Sequence, residues 1–161
     1  MTRETTPAAR KDVDVSVSGC AVRRLSRAAI GLFVEDCLAA LHRLSAAPHD
    51  VTEVAIAFVG DEEMQRLNRT YRKKNETTDV LTFPADSTYS FPGDEARPLG
   101  DIAISIDQAR RQAAEEKHSL ATEVRYLLLH GILHAFGYDH ATDEGEMDAL
   151  ELKVRKRVGL K

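Results

Sequence analysis

The apolar positions along this chain change period several times, and each change predicts an element. Over residues 12–18, Val13, Val15 and Val17 alternate with polar residues, the two-residue period of a half-buried strand. Over 23–44 the spacing is helical, with Leu25, Ala28, Ala29, Leu32, Phe33, Cys37, Leu38 and Leu41 forming one apolar stripe. Residues 45–50, with Pro48, break that helix. Residues 54–59 are a short apolar run that reads as a buried strand. Gly60 and Asp61 supply a turn and a helix N-cap, and Met64, Leu67 and Tyr71 share one face of the helix that follows. A strand over 79–83 is stopped by Pro84. Residues 85–98 then form a polar loop containing glycine and proline, long for a compact domain. Alternation returns over 101–106, and a polar helix is expected over 107–117. Residues 120–136 form a helix that is apolar nearly all round after Arg125, which predicts a central, buried position. The last helix opens with Asp143 and Glu146 at capping-box spacing and turns Met147, Leu150, Val154 and Val158 inward.

Strands mixed with helices, without strict alternation, predict an α+β fold. The expected form is an α/β sandwich: a mixed, mostly four-stranded sheet packed with helices. The length of 161 residues suits a single domain over 12–161 after a flexible lead-in over 1–11. Hydrophobic residues at 43% and charged residues at 30% exclude a disordered chain. A net charge of −4 excludes a uniformly basic nucleic-acid binder but leaves room for a local basic patch. No apolar stretch approaches the ~20 residues that span a bilayer, and the polar N-terminus has no signal core, so a cytoplasmic protein without membrane contact is expected. The two cysteines, Cys20 and Cys37, are too few for a disulfide framework and read as small buried apolar residues.

The segment 130–140, His-Gly-Ile-Leu-His-Ala-Phe-Gly-Tyr-Asp-His, changes the picture. His130 and His134 are four apart and therefore neighbours on one helical face. Two imidazoles at that spacing can meet one ion at zinc–nitrogen distances of about 2.0–2.1 Å. Gly137 can take the left-handed conformation that ends a helix, and a reversal there brings His140 toward the same ion. Three histidines leave one tetrahedral position open, as in catalytic zinc sites. His42, His49 and His118 stand alone and read as surface or packing residues. The spacing resembles that of the metzincin peptidases, but Gly131 occupies the position of their general-base glutamate, which argues against peptide hydrolysis. Asp139 reads equally as a partner of a ligand histidine or as a turn residue.

A second cluster, 67–84, runs from a basic helix end into a strand. Arg69, Arg72, Lys73 and Lys74 lie in a stretch with no acidic residue from Met64 to Lys74. A planar guanidinium such as Arg72 suits bidentate phosphate recognition.

Taken together, these segments resemble the YbeY family of bacterial endoribonucleases and ribosomal RNA maturation factors. The family's His-Gly-x-Leu-His-x-x-Gly-Tyr-Asp-His is matched from His130 to His140, its Leu-Asn-x-x-Tyr-Arg from Leu67 to Arg72, and its Leu-Gly-Asp-Ile from Leu99 to Ile102. Its Thr-Asp-Val-Leu-Ser-Phe-Pro is matched from Thr78 to Pro84 with Thr82 in place of Ser. Asn75 stands where the family usually has Asp, and Thr77 where it usually has Pro. The resemblance runs from about Val54 to the C-terminus. It implies a zincin-like central metal helix, one Zn2+ or another divalent metal held by His130, His134 and His140, and Arg72 and His130 as catalytic residues, with Arg72 near the metal in the cleft. It also implies action on single-stranded RNA in 3′-end maturation of small-subunit ribosomal RNA and in ribosome quality control. Ribosomal or ribosome-associated proteins are the expected partners, and no DNA is. Arg69, Arg72, Lys73 and Lys74 would contact the RNA. Either water or the ribose 2′-hydroxyl serves as nucleophile. Two other readings use the same residues: a metallopeptidase with Glu123 or Asp139 as base, and a non-catalytic ribosome assembly factor with a structural metal.

Overall fold

The computed structural model describes residues 13–47, 51–85, 97–139 and 141–160. The lead-in over 1–11, the first residue of the expected opening strand, Pro48 and His49 of the breaker, most of the 85–98 loop and His140 lie outside the described residues. Among the described residues the order is β1 (Asp14–Gly19), α1 (Arg27–Arg43), β2 (Glu53–Val59), α2 (Asp61–Arg72), β3 (Val80–Pro84), β4 (Pro98–Ser105), α3 (Ile106–Glu116), α4 (Leu120–Ala135) and α5 (Glu146–Val158). The four strands form one mixed sheet in the order β1-β2-β4-β3. β1, β2 and β4 run parallel, and β3 pairs antiparallel to β4 at the edge. This is the expected α+β architecture.

Alternation along the strands assigns the two faces of the sheet. Val54, Ile56, Phe58, Ile102 and Ile104 are buried in a large core with α1, α4 and α5, and Val80 packs on it from β3. The opposite face is thinner. There Leu81 and Ala103 bury against Met64 of α2, with Val59, Leu67 and Phe83 around them. α2 and α4 therefore lie on opposite faces, and the edge strand β3 contributes side chains to both.

Most ends fall within two residues of the sequence expectation, and four features differ by more than that. α1 starts at Arg27 rather than Arg23, because the Ser26 hydroxyl caps the Ala29 N–H and Val22 and Leu25 first form a small bridge. Asp61 is not the cap of α2; Gly60 takes that position and Asp107 Oδ2 accepts from the Asp61 N–H across the fold. β4 begins at Pro98, inside the expected loop, because pairing with β2 and β3 recruits Leu99 and Gly100. The Asp143–Glu146 capping box is replaced by a longer relay. Gly145 is the N-cap of α5, Asp143 accepts from the Gly145 and Met147 N–H groups, and Glu146 accepts from the Glu144 N–H.

The cysteines also divide. Cys37 is buried in α1, where desolvation raises its thiol pKa. Cys20, expected inside, is exposed because the chain leaves the sheet at Gly19.

Candidate metal centre on the central helix

α4 is the most enclosed of the described helices. Val124, Leu128, Leu129, Ile132 and Leu133 are fully buried. Ser119 caps its N-terminus, accepting from the Thr122 N–H. It lies tight against the sheet at Gly131, where a Cβ would stand 2.8 Å from Ile102 Cγ2 and 3.3 Å from Val80 Cγ2. That contact explains the glycine: the helix face at 131 lies flat on β3 and β4, with no space for a glutamate. The Thr82 hydroxyl donates to the Gly131 carbonyl at 3.2 Å and fastens the edge strand to the same turn.

The neighbouring positions carry the histidines. His130 and His134 are half-buried, their rings nearly perpendicular at 79° with centroids 4.5 Å apart. Their Nε2 atoms stand 2.9 Å from each other. Adjacent ligands of a tetrahedral ion with bonds of 2.0–2.1 Å are about 3.3 Å apart. Opening the pair by a few tenths of an ångström therefore admits such an ion, and the donor set fits zinc. Among the described residues no group of three ligands forms, since the third expected histidine, His140, falls outside them.

The turn after His134 has the predicted form. Gly137 has φ +96°, its N–H donates to the His134 carbonyl at 2.9 Å, and the Tyr138 N–H donates to the Leu133 carbonyl at 3.1 Å. These two bonds are a Schellman helix stop. The Tyr138 hydroxyl then donates to the Ala46 carbonyl at 2.8 Å and anchors the turn to the end of α1. Asp139 acts as a turn residue, its Oδ1 accepting from the Ala141 N–H at 2.9 Å.

The two carboxylates considered as a peptidase base are thus placed. Asp139 serves the turn. Glu123 is buried on α4 and bonded to His118 Nε2 at 2.5 Å. His118 in turn lies against Tyr126, and the Arg155 guanidinium sits 4.5 Å over the Tyr126 ring while bonding Glu151. His118 is thus a packing residue, as its isolation suggested. His42 is exposed.

The basic cluster sits elsewhere. Arg69, Arg72, Lys73 and Lys74 are exposed at the end of α2, where Lys73 takes a left-handed conformation. α2 packs on the sheet face opposite α4, so the sheet stands between the two helices that carry these cations and the histidines. Behind them the chain is tied back along α2: Asn68 Nδ2 donates to the Glu76 carbonyl at 2.8 Å, and Gln65 Nε2 reaches Asn75 Oδ1 at 3.3 Å. Asn75, the departure from the family pattern, therefore has a structural contact.

A carboxylate network that sequence reading missed holds the start of β3. Asp61 accepts from Arg111, Ser105 and Thr77, and the Arg111 hydrogen bond, then that of Ser105, hold its carboxyl below the usual carboxylate range. Asp79 accepts from its neighbour's Val80 N–H at 2.7 Å and from Gln112 at 3.2 Å. The only local signal was the run Thr77-Thr78-Asp79; the partners lie about 30 to 50 residues away in the chain.

Fold and site define an α+β protein with a converging histidine pair on its central helix. A family model described as Endoribonuclease YbeY matches residues 21–159. Endoribonuclease YbeY of Nautilia profundicola is 45% identical over 108 residues, which cover 67% of this chain and 73% of the relative. The Alkaliphilus metalliredigens protein of the same name is 44% identical over 109 residues, covering 67% and 68%. The solution structure of TM1509 from Thermotoga maritima has the same fold, with a TM-score of 0.53 at 24% identity over 89% of this chain and 88% of that one. The chain belongs to the YbeY family. Among the described residues no helix is long and apolar enough to cross a membrane.

Proposed function

We propose that this protein is a metal-dependent endoribonuclease acting on single-stranded RNA, in the cytoplasm, during 3′-end maturation of small-subunit ribosomal RNA and ribosome quality control. The observation that carries the reading is the convergence of His130 and His134 Nε2 at 2.9 Å on the central helix, in a chain whose relatives are named endoribonucleases. His130, His134 and His140 would hold one Zn2+ or similar divalent ion through neutral imidazole nitrogens. Such an ion, when bound, supplies Lewis-acid polarisation of a phosphoryl oxygen and lowers the pKa of water.

The remaining work falls to the chain's own side chains. Arg72 presents two parallel N–H groups to a phosphate and offsets charge that develops on it. Arg69, Lys73 and Lys74 follow the backbone on either side and make binding salt-sensitive. Because α2 and α4 occupy opposite sheet faces, a strand engaged by both passes over the β3 edge. Ribosomal or ribosome-associated proteins would bring the enzyme to its RNA. Two observations count against peptide hydrolysis: the absence of space for a carboxylate at 131, and the bond that occupies Glu123.

The test is incubation of zinc-loaded protein with a single-stranded oligoribonucleotide, alongside His134→Ala and Arg72→Ala. Cleavage by the parent and its loss in both variants is expected. Equal cleavage by all three would trace the activity to a contaminant and overturn the reading. A parent that binds ribosomal RNA without cutting it would leave only an assembly role.

A further inference from the structure

The sheet face that α2 half-covers presents an exposed aromatic ring. Tyr71, expected to turn inward with Met64 and Leu67, is 64% exposed. Its ring stands on Phe83 of β3, edge to face, with centroids 4.9 Å apart and planes at 69°. Phe83 thereby fixes the orientation of an aromatic ring that solvent still reaches. Beyond it, a groove of about 470 Å³ runs over the sheet, floored by short side chains such as Ala55, Ala57, Ser16 and Ser18. No long side chain rises from β1 or β2 there.

Charge surrounds the ring unevenly. Arg66 is held by Glu63. Among the described residues Arg69, Arg72, Lys73 and Lys74 take part in no ion pair, and all four are exposed. Four cations with no ion-pair partner among the described residues thus flank one exposed aromatic in a protein whose net charge is −4. One carboxylate, Asp101, lies on the groove floor beside Phe83. It can accept from the exocyclic amino group of a base, as carboxylates do from cytosine.

We infer that the Tyr71–Phe83 pair and the adjoining sheet face form a base-stacking platform for single-stranded RNA, distinct from the histidine centre. Exposed rings on a sheet bind single strands by stacking on bases, while nearby cations hold the phosphates. The occupant is a nucleic acid rather than a protein segment because the cations have no ion-pair partner among the described residues and the floor is lined by short side chains. A strand lying here continues over β3, the edge strand that also packs on α4. The platform would hold RNA flanking the cut site. This inference rests on the ribonuclease reading and adds a substrate-binding surface to it.

The experiment measures fluorescence anisotropy of a labelled twelve-nucleotide single-stranded RNA with the full chain, Tyr71→Phe, Tyr71→Leu and Tyr71→Ala. The metal is left out, so that the RNA stays intact. Stacking on one ring is worth about 5- to 100-fold in affinity. Tyr71→Leu and Tyr71→Ala should therefore weaken binding within that range and Tyr71→Phe should not, with melting temperatures of Phe and Leu variants near the parent's. Unaltered affinity in Tyr71→Leu, or equal weakening in Tyr71→Phe, would overturn the platform. The parent's cleavage of the same RNA with metal restored decides the ribonuclease reading separately. If the parent cuts and Tyr71→Leu binds normally, only the platform falls, and this face is left for a protein partner.

Discussion

The Thr82 hydroxyl on the edge strand donates to the Gly131 carbonyl on the central helix at 3.2 Å. One hydrogen bond thus links β3 to the residue between the two histidines' turns. Thr82→Ala should cost about 0.5–1.5 kcal/mol, whereas Thr82→Ser, which restores the hydroxyl, should stay near the parent. Denaturant unfolding of the three proteins measures this. Equal stability of the Ala and Ser variants would show that the bond contributes nothing.

Metal content should follow the histidine pair. His134→Ala removes one of the two converging Nε2 atoms and is expected to lower bound zinc well below one equivalent after dialysis, measured by atomic emission, with the circular dichroism spectrum retained. Full zinc retention in the variant would place the ion elsewhere.

Two glycines on α4 and its turn should fail for different reasons. Gly131→Ala drives a methyl to 2.8 Å from Ile102 Cγ2, a buried side chain, so overpacking of about 1–3 kcal/mol opposes the ~1 kcal/mol that alanine gains in a helix. A lowered melting temperature is expected, and a raised one would mean that the helix shifts freely. Among the described residues Gly137→Ala meets no atom within 4 Å beyond its chain neighbours, yet its φ of +96° still strains an L-residue. It should lose about 1 kcal/mol or more, with Gly137→Asn losing less.

Acid stability should show the Asp61 network. Its carboxyl is held below the ordinary value by Arg111 first. The stabilisation is therefore complete above the unfolded carboxylate pKa of about 3.9 and is lost as pH falls through the lower folded value. Asp61→Asn should be less stable than the parent at pH 7, and the gap should narrow below about pH 4. A gap that widens on acidification would reverse the sign and refute the assignment.

Arg72 is exposed at the end of α2. Arg72→Ala should change stability by no more than about 0.5 kcal/mol while reducing RNA cleavage and flattening its salt dependence. Cleavage assays at two ionic strengths, beside a melting curve, check both halves. Parent-like cleavage would remove Arg72 from the reaction.

Some of this architecture was legible in the chain before any fold was known. The i, i+4 histidines and the left-handed Gly137 depend on neighbours within one or two helical turns. Strand and helix periods located every described element, with errors confined to ends such as Arg27 and Pro98. The long-range matters were not legible. Asp61 looked like a cap until Arg111 and Ser105 arrived from distant segments, and Glu123 looked available until His118 occupied it.

What the sequence by itself determined is the local chemistry: which imidazoles share a helical face, where that helix stops, and which stretch is basic. Tertiary structure alone decided that α2 and α4 cover opposite faces of the sheet, with antiparallel β3 between them. It also decided that Gly131 is the point of contact and that Tyr71 turns outward. The physical reason is range. Helical spacing and turn conformation are set by covalent geometry over a few residues, whereas strand order and face are chosen by which distant apolar surfaces can be buried together.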